Sequence, residues 1–287
     1  MIKKAHAKLN LAIDILGRRE DGYHYVDMIS VPLELHDCLQ IYELNENYET
    51  FITADDVTLS CDRDNLVHRA INMMKENYNI HRSYRVEIFK MIPTQAGLAG
   101  GSADAACLIR TIAKSSKEKI DLNHLVDLSK SYGADIPYCI FEKTARVQGI
   151  GEKLEFIDDK LNFNVLIVKP KQGLATKDVF ALYDKIGQSK KPDIDALYNL
   201  IKTNCSEKEI APLLYNGLTE TAKTLCSDIE NIFKMFEELN LCAYEMSGSG
   251  SACYAFSNDR KKLEEAAKVF DKKGYKTFIT KIYHSEK

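Results

Sequence analysis

The chain has 287 residues, 45% of them hydrophobic and 28% charged, with 14 glycines and 6 prolines; this is a soluble globular composition, long enough for one large domain or two modest ones. Lys and Arg number 39 against 42 Asp and Glu, a net charge of -3 with no basic stripe, which argues against a nucleic-acid partner. No apolar run is long enough to span a bilayer, so no membrane partner is expected.

Leu9, Leu11, Ile13 and Ile15 alternate with Lys8, Asn10, Ala12 and Asp14, the period-two pattern of a half-buried strand, so Lys8 and Asn10 share one face. Arg18 to Gly22 is polar and ends in the turn pair Asp21-Gly22. An apolar stretch through Val31, Leu33 and Leu35 follows, and a β-hairpin is the simplest reading. Leu66, Val67, Ala70, Ile71 and Met74 fall at helical spacing, and Tyr84, Val86 and Ile88 return to alternation. Pro93 to Ser102, PTQAGLAGGS, runs into a helix whose apolar face is Ala105, Leu108, Ile109 and Ile112. A second helix carries Leu122, Leu125 and Val126 and ends at Gly133, where glycine suits a left-handed position and Pro137 stops continuation; Asp135 lies just past that end.

From Gly149 to Leu161 the composition turns polar, and Phe163 with Val165 to Val168 then reads as a buried strand closed by Pro170. This predicts two domains, 1–160 and 161–287. The second half reads as a helix from Thr176, a polar break from Gln188 to Asp193, further helices to Leu239, two short strands around MSGSGSACYAF, a helix from Leu263 to Phe270 and a closing strand. Met1 to Leu16 lacks the continuous apolar stretch of a signal peptide. The 8 cysteines and 7 histidines are scattered, with no C-x-x-C pair, which predicts reduced cysteines in the cytoplasm and no structural zinc.

Gly97, Gly100 and Gly101, with Ser102 at a helix start, make a loop whose amides can converge on one point while the helix dipole adds partial positive charge there. That geometry suits a phosphate chain. Glycine is expected because a Cβ would block positive φ angles and the approach of an anion to the main chain. No Lys-Ser or Lys-Thr follows as in a P-loop, and no G-x-G-x-x-G is present, so neither common nucleotide fold fits. Taken alone, the loop could equally be a tight connection before an ordinary helix.

The segments AKLNLAIDILGRREDGYH, PTQAGLAGGSADAA, GADIPY and MSGSGSACYAF occur in the order seen in the GHMP kinase superfamily, which the chain resembles over nearly its whole length. The resemblance implies an α+β, two-domain fold with an N-terminal ribosomal-protein-like α/β domain and a C-terminal ferredoxin-like domain. It implies ATP with Mg2+ as cofactors, and a small-molecule substrate, a cytidine diphosphate-linked sugar alcohol of the non-mevalonate isoprenoid route, on a monomer or weak homodimer. Asp135 then accepts the proton of the attacking hydroxyl, and Lys8 stabilises negative charge near it. Phosphoryl transfer asks for little beyond such alignment and charge neutralisation.

By the same resemblance the nucleotide is bound by Asn65, Lys90, Pro93, Thr94, Gln95, Ala96, Gly97, Leu98, Ala99, Gly100, Gly101, Ser102, Ala103 and Asp104. The substrate is bound by Asn10, Tyr23, His24, Thr176, Phe180, Gly248 and Gly250, with Tyr23, His24 and Phe180 around the cytosine. Thr176 also reads as a helix N-cap, and Gly248 and Gly250 as a hairpin turn. No metal ligand is assigned. The chain departs from the family pattern at Ala96 and Ala99, where many members have glycine, at His6, and at Thr219, which replaces an acidic residue in YNGLTE. These departures leave two alternatives: a diverged kinase of another alcohol, or a nucleotide-binding homologue without catalysis.

Overall fold

The computed structural model describes residues 1–116, 118–188 and 190–284. Two long strands open the chain, β1 (Ile2–Arg18) and β2 (His24–Leu44), hydrogen-bonded neighbours joined by the turn in which Arg19 N–H donates to Tyr23 O at 2.7 Å. The predicted hairpin is therefore present. It differs from the half-buried strand expected, because every residue from Ala5 to Ile15 is buried, Lys8, Asn10 and Asp14 included. Both faces of β1 are covered, so polarity on one face marks a buried polar surface.

After β3 (Phe51–Ala54) come α1 (Leu66–Asn77), β4 (Ser83–Phe89), α2 (Gly100–Ser115), α3 (Leu122–Ser129) and α4 (Ile136–Phe141). Contacts divide the chain into two units, the first made of 1–7, 35–92 and 99–142. Within it β4 pairs antiparallel with β2 over Ser83–Phe89 and parallel with β3. Val67, Ala70, Ile71, Met73 and Met74 form the buried face of α1, which packs on α2, where Leu108, Ile109 and Ile112 are buried. Asn65 starts α1 by accepting from Val67 N–H at 2.9 Å, which meets one of the amides a helix start leaves unpaired.

One expectation fails here. Gly133 takes no positive φ, and α3 ends earlier, at Ser129. Pro137 lies in the first turn of α4, where a missing N–H costs nothing. Space at Gly133 is limited rather than closed: a Cβ there would lie 3.2 Å from the end of the Ile136 side chain, which would have to shift slightly, and in ordinary contact with Ser102 Oγ at 3.7 Å.

The second unit holds 8–34, 93–98 and 143–287. It contains β5 (Ala145–Gly149), β6 (Lys153–Phe156), β7 (Asn164–Lys169), α5 (Thr176–Ile186), α6 (Ile194–Leu200), α7 (Glu207–Ile210), β8 (Tyr215–Asn216), α8 (Thr219–Leu225), α9 (Asp228–Glu238), β9 (Ala243–Met246), β10 (Cys253–Ser257), α10 (Arg260–Lys272) and β11 (Lys276–Lys281). β5 extends β2, β6 extends β5, and β8 pairs parallel with β1. A separate antiparallel sheet runs β11-β7-β10-β9, so its strands, numbered within the sheet by chain order, lie 4-1-3-2, the ferredoxin-like arrangement. Phe236, Phe270, Leu263 and Val179 fill its core, with Ile13 and Ile15 from β1. Of the predicted break at 188–193, residue 189 lies outside the described residues. All eight cysteines are free, and among the described residues no helix is long and apolar enough to cross a membrane.

Thr219 takes its meaning from β9. Its Oγ1 donates to Glu245 Oε1 at 2.7 Å, and Met246 N–H donates to the same oxygen at 2.8 Å. The acidic group missing at 219 thus has a buried counterpart across the packing, and burial raises the Glu245 carboxyl to about 7. A carboxyl that holds its proton more tightly when folded stabilises the fold at low pH and loses that contribution as pH rises through about 7. Glu245→Gln should therefore reduce the fall in unfolding free energy between pH 5 and pH 8.5 by about 3 kcal/mol. Urea denaturation at the two pH values measures it; an unchanged difference would mean that Glu245 is solvated or charged throughout.

Candidate active site

In the second unit, burial and hydrogen bonding converge on Lys8. The side chain is 4% exposed, and its Nζ donates to Asn10 Oδ1 at 2.5 Å. Asn10 Nδ2 donates to Ser30 Oγ at 2.9 Å, which fixes the amide so that its oxygen faces the ammonium. An ammonium is stripped of water only where something is gained by it, so Lys8 is not the solvated strand lysine its sequence alone allows. Asn10, expected on the substrate, spends both amide atoms inside the protein, on Lys8 and on Ser30 and Met28 Sδ.

Two glycine-bearing loops meet beside this strand. Lys8 N–H donates to Leu98 O at 3.2 Å, which ties β1 to the first loop. Ser247 Oγ donates to Gly97 O at 3.0 Å, and Ala252 N–H reaches Ala96 O at 3.3 Å. Gly97 (φ +73°) and Gly248 (φ +57°) face each other: a Cβ on Gly97 would lie 1.9 Å from Ser247 O, and one on Gly248 2.8 Å from Gly97 O. MSGSGS is thus a hairpin turn between β9 and β10 and also the wall against which the first loop is folded. Asn216 sets that wall, donating from Nδ2 to Met246 O at 2.9 Å and Gly248 O at 2.7 Å. Nothing in the periodicity singled out Asn216, Ser30 or Ser247; an asparagine two residues into a strand carries no local signal.

The first loop differs from its expected form. Of its three glycines only Gly97 takes positive φ; Gly100 and Gly101 are already helical, and the left-handed positions are Gln95 and Ala99. Ala99 starts α2 at φ +58° with no side-chain cap, so the first amides of a long helix are left without a side-chain acceptor. A Cβ at Gly101 would touch only Leu66 Cδ1 at 3.6 Å. The protein itself thus leaves room for a side chain at residue 101.

Also in the first unit, the Lys90 ammonium lies between two buried carboxylates, paired with Asp37 and 2.8 Å from Asp104 Oδ2. Asp37 Oδ1 also accepts from Met91 N–H at 2.6 Å and Ile92 N–H at 2.8 Å. A Cβ at Gly100 would come within 3.3 Å of Lys90 Nζ, so the cluster lies directly under the start of α2. Burial and the neighbouring Asp37 raise the Asp104 carboxyl to about 7 against the opposing pull of Lys90, and its Oδ1 is buried with no hydrogen-bond partner among the described residues. Lys90 and Asp104 thus form the floor of this helix start, with Lys90 only 6% exposed. Asn65 caps α1. Asp135, half-buried, stands at the start of α4 and does not cap it with its side chain; two residues before it, Gly133 lies against Ser102 of α2.

The expected base-binding residues are drawn together in part. His24 Nε2 lies 2.6 Å from Asp184 Oδ1, and its ring stacks on Phe180 with centroids 4.7 Å apart and planes at 26°. Two rings in direct contact leave no slot for a third, so a base does not lie between them; the open aromatic is Tyr23, 49% exposed on the turn. Thr176 is not an N-cap: Ala175 holds that position, and the threonine hydroxyl bonds Ser249 Oγ at 2.9 Å, beside Gly248 and Gly250.

Residues 65–143 match the family model "GHMP kinases N terminal domain" and residues 189–276 match "GHMP kinases C terminal". The chain is 35% identical over 284 residues to the 4-diphosphocytidyl-2-C-methyl-D-erythritol kinase of Clostridium kluyveri, covering 98% of this chain and 99% of that protein. It is 34% identical to the kinase of the same name from Clostridium acetobutylicum, over 97% and 98% of the two chains. Its fold matches a crystal structure of 4-(cytidine 5'-diphospho)-2C-methyl-D-erythritol kinase with a TM-score of 0.81, 24% identity and coverage of 99% and 100%. It also matches homoserine kinase from Cytophaga hutchinsonii with a TM-score of 0.72, 15% identity and coverage of 97% and 94%.

Three substitutions separate strain, space and ligand approach in the loop. Ala99→Gly should raise stability by about 0.5–1 kcal/mol, by removing the cost of a left-handed alanine. Gly97→Ala should cost several kcal/mol, roughly what a core overpacking costs or more, since its Cβ meets fixed backbone. Gly101→Val should leave stability within about 1 kcal/mol while weakening binding of a triphosphate. Denaturant titration and calorimetry read the pair of quantities; wild-type affinity in a folded Gly101→Val protein would place the phosphates elsewhere.

Proposed function

This chain belongs to the 4-diphosphocytidyl-2-C-methyl-D-erythritol kinases of the GHMP kinase family, and we propose that it transfers the γ-phosphate of ATP to the 2-hydroxyl of that cytidine diphosphate-linked alcohol. The observation that carries the reading is the dehydrated Lys8 ammonium, oriented by Asn10 on a strand tied to the glycine loop, in a chain that matches these kinases end to end.

In this reading Asp135 is the base. It takes the proton from the attacking hydroxyl, so that the oxygen gains nucleophilicity as it bonds to phosphorus and the bond to the β-phosphate oxygen breaks. Lys8 neutralises charge that builds on the transferred group, which a buried ammonium does more effectively than a hydrated one. The triphosphate is held by the amides of residues 93–104 at the start of α2, with the Lys90, Asp104 and Asp37 cluster fixing that helix start from below. Asn65 borders the adenosine. Mg2+ bound with the nucleotide would offset the charge of its phosphates.

Tyr23, His24 and Phe180 bind the cytosine, and Asn10, Thr176, Gly248 and Gly250 border the alcohol. The family halves are 1–160 and 161–287. Eight free cysteines fit the reducing cytoplasm, and the enzyme works there as a monomer or weak homodimer.

The test is a coupled assay with ATP, Mg2+ and the cytidine diphosphate-linked alcohol, with 31P NMR to detect a new phosphate monoester. Asp135→Asn should fold, bind ATP and lose about 100-fold or more in kcat. Lys8→Ala should lower kcat with a rise in substrate KM. Turnover of homoserine or another alcohol without a base, and none of the cytidine substrate, would make it a kinase of the same family with a different acceptor. ATP binding with no turnover of any alcohol would make it a binding protein.

A further inference from the structure

Asn10 is held at each of its polar atoms inside the second unit. Tyr254 Oη donates to its carbonyl oxygen at 3.0 Å, and Ser247 Oγ accepts from its main-chain N–H at 3.4 Å. The side-chain amide spans two sides: Oδ1 accepts from Lys8 Nζ at 2.5 Å, while Nδ2 donates to Ser30 Oγ at 2.9 Å and to Met28 Sδ at 3.2 Å. Met28 and Ser30 stand two residues apart on β2 and so share one of its faces. A hydroxyl can donate or accept, but a thioether sulfur cannot donate, so the end of the amide that faces Met28 is the NH2. The oxygen end therefore faces Lys8.

Ser30 is 1% exposed, and among the described residues its side chain makes one hydrogen bond, the one to Asn10. Ile29 and Val31, on the opposite face of β2, are buried too, so both faces of the strand are covered there and a hydroxyl opposes folding unless it is bonded. The terminal torsion of an asparagine has no sharp minimum; with the main chain fixed, the angle of the amide plane is set by what its two ends bond. Lys8 reaches the amide on a flexible stem, so its Nζ follows the oxygen to which it donates. We propose that Ser30 is a positioning residue for the phosphoryl transfer: by accepting from Asn10 Nδ2 it fixes the amide plane, and the amide oxygen in turn fixes Lys8 Nζ. The proposal rests on the reading of Lys8 as the group that neutralises charge on the transferred phosphoryl. A misplaced Lys8 costs rate rather than nucleotide affinity, because the charge it meets builds in the transition state.

The experiment measures kcat, substrate KM and ATP affinity in the wild type, Ser30→Ala, Ser30→Thr, Asn10→Ala and the double variant Ser30→Ala with Asn10→Ala. Ser30→Ala should fold, bind ATP as the wild type does and lose about 10- to 100-fold in kcat, the range that a small misplacement of a catalytic group costs. Ser30→Thr, which keeps the acceptor, should recover most of that loss. In the Asn10→Ala background, removal of the hydroxyl should cost nothing further, since Ser30 acts only through Asn10. Wild-type kcat in Ser30→Ala would overturn the assignment. So would losses that multiply in the double variant, or a Ser30→Ala protein that loses ATP affinity in step with kcat, because Ser30 would then act by general support of the fold.

NMR of asparagine-15N-labelled protein tests the premise apart from turnover. The Asn10 Nδ2 protons should exchange slowly with water in the wild type and faster in Ser30→Ala. Fast exchange already in the wild type, or equal exchange in the two proteins, would overturn it. A wild type that turns over no cytidine diphosphate-linked alcohol fails the functional reading instead, and the exchange rates still decide whether Ser30 holds the amide.

Discussion

The contact on which the second unit's polar architecture depends is the one between Gly97 and Ser247, where backbone meets backbone with no room for a side chain. A Cβ on residue 97 would fall 1.9 Å from the Ser247 carbonyl oxygen, so the first loop lies against the second only because residue 97 is glycine. From that contact the rest follows in order. Ser247 Oγ donates to Gly97 O, Asn216 holds the carbonyls of Met246 and Gly248, and Leu98 O accepts from the strand that carries Lys8. The loop is thus braced by the protein's own backbone and side chains.

Buried charge is the second organising constraint. Lys8, Lys90, Asp37, Asp104 and Glu245 are all nearly inaccessible, in a chain whose net charge is only -3. Each such group opposes folding unless it is paired, and they are handled differently. Lys90 is paired with two carboxylates, and one of them, Asp104, is raised to about 7 chiefly by its burial, with the neighbouring Asp37 adding to the shift against the pull of Lys90. Glu245 has only a hydroxyl and an amide for company and moves to about 7 as well. Lys8 donates to the Asn10 amide oxygen, and Lys90 lies between two carboxylates under the start of α2.

Much of this was legible in the chain because it rests on local spacing. The face shared by Lys8 and Asn10, the hairpin at Asp21-Gly22, the amphipathic helices α1 and α2 and the alternation of β4 all survive in the structure. What escaped the sequence depends on partners distant along the chain. β8 is a two-residue strand defined only by its neighbour β1, and a strand that short has no period to detect. Gly133, expected as a left-handed helix end, takes no positive φ and instead sits in a tight space against the Ile136 side chain, which the same letter in the sequence does not reveal. Asp37 reads as an ordinary polar residue inside a strand until it is seen accepting two main-chain amides and facing Lys90.

The departures from the family pattern separate on the same physical ground. Thr219, where the family pattern has an acidic residue, donates to the buried Glu245 of β9, so the position keeps a polar partner inside the packing. Ala96 is buried, and its carbonyl still accepts from Ala252, a main-chain interaction for which the side chain matters little. Ala99 has no such compensation, for it holds φ +58° with a Cβ present and so stores strain at the first turn of α2. Strain at that position raises the energy of the loop in its empty form. Gln95 and Gly97 also take positive φ before α2, and Gly97 does so without a Cβ, so Ala99 is the position next to the helix where replacement by glycine removes strain without creating space.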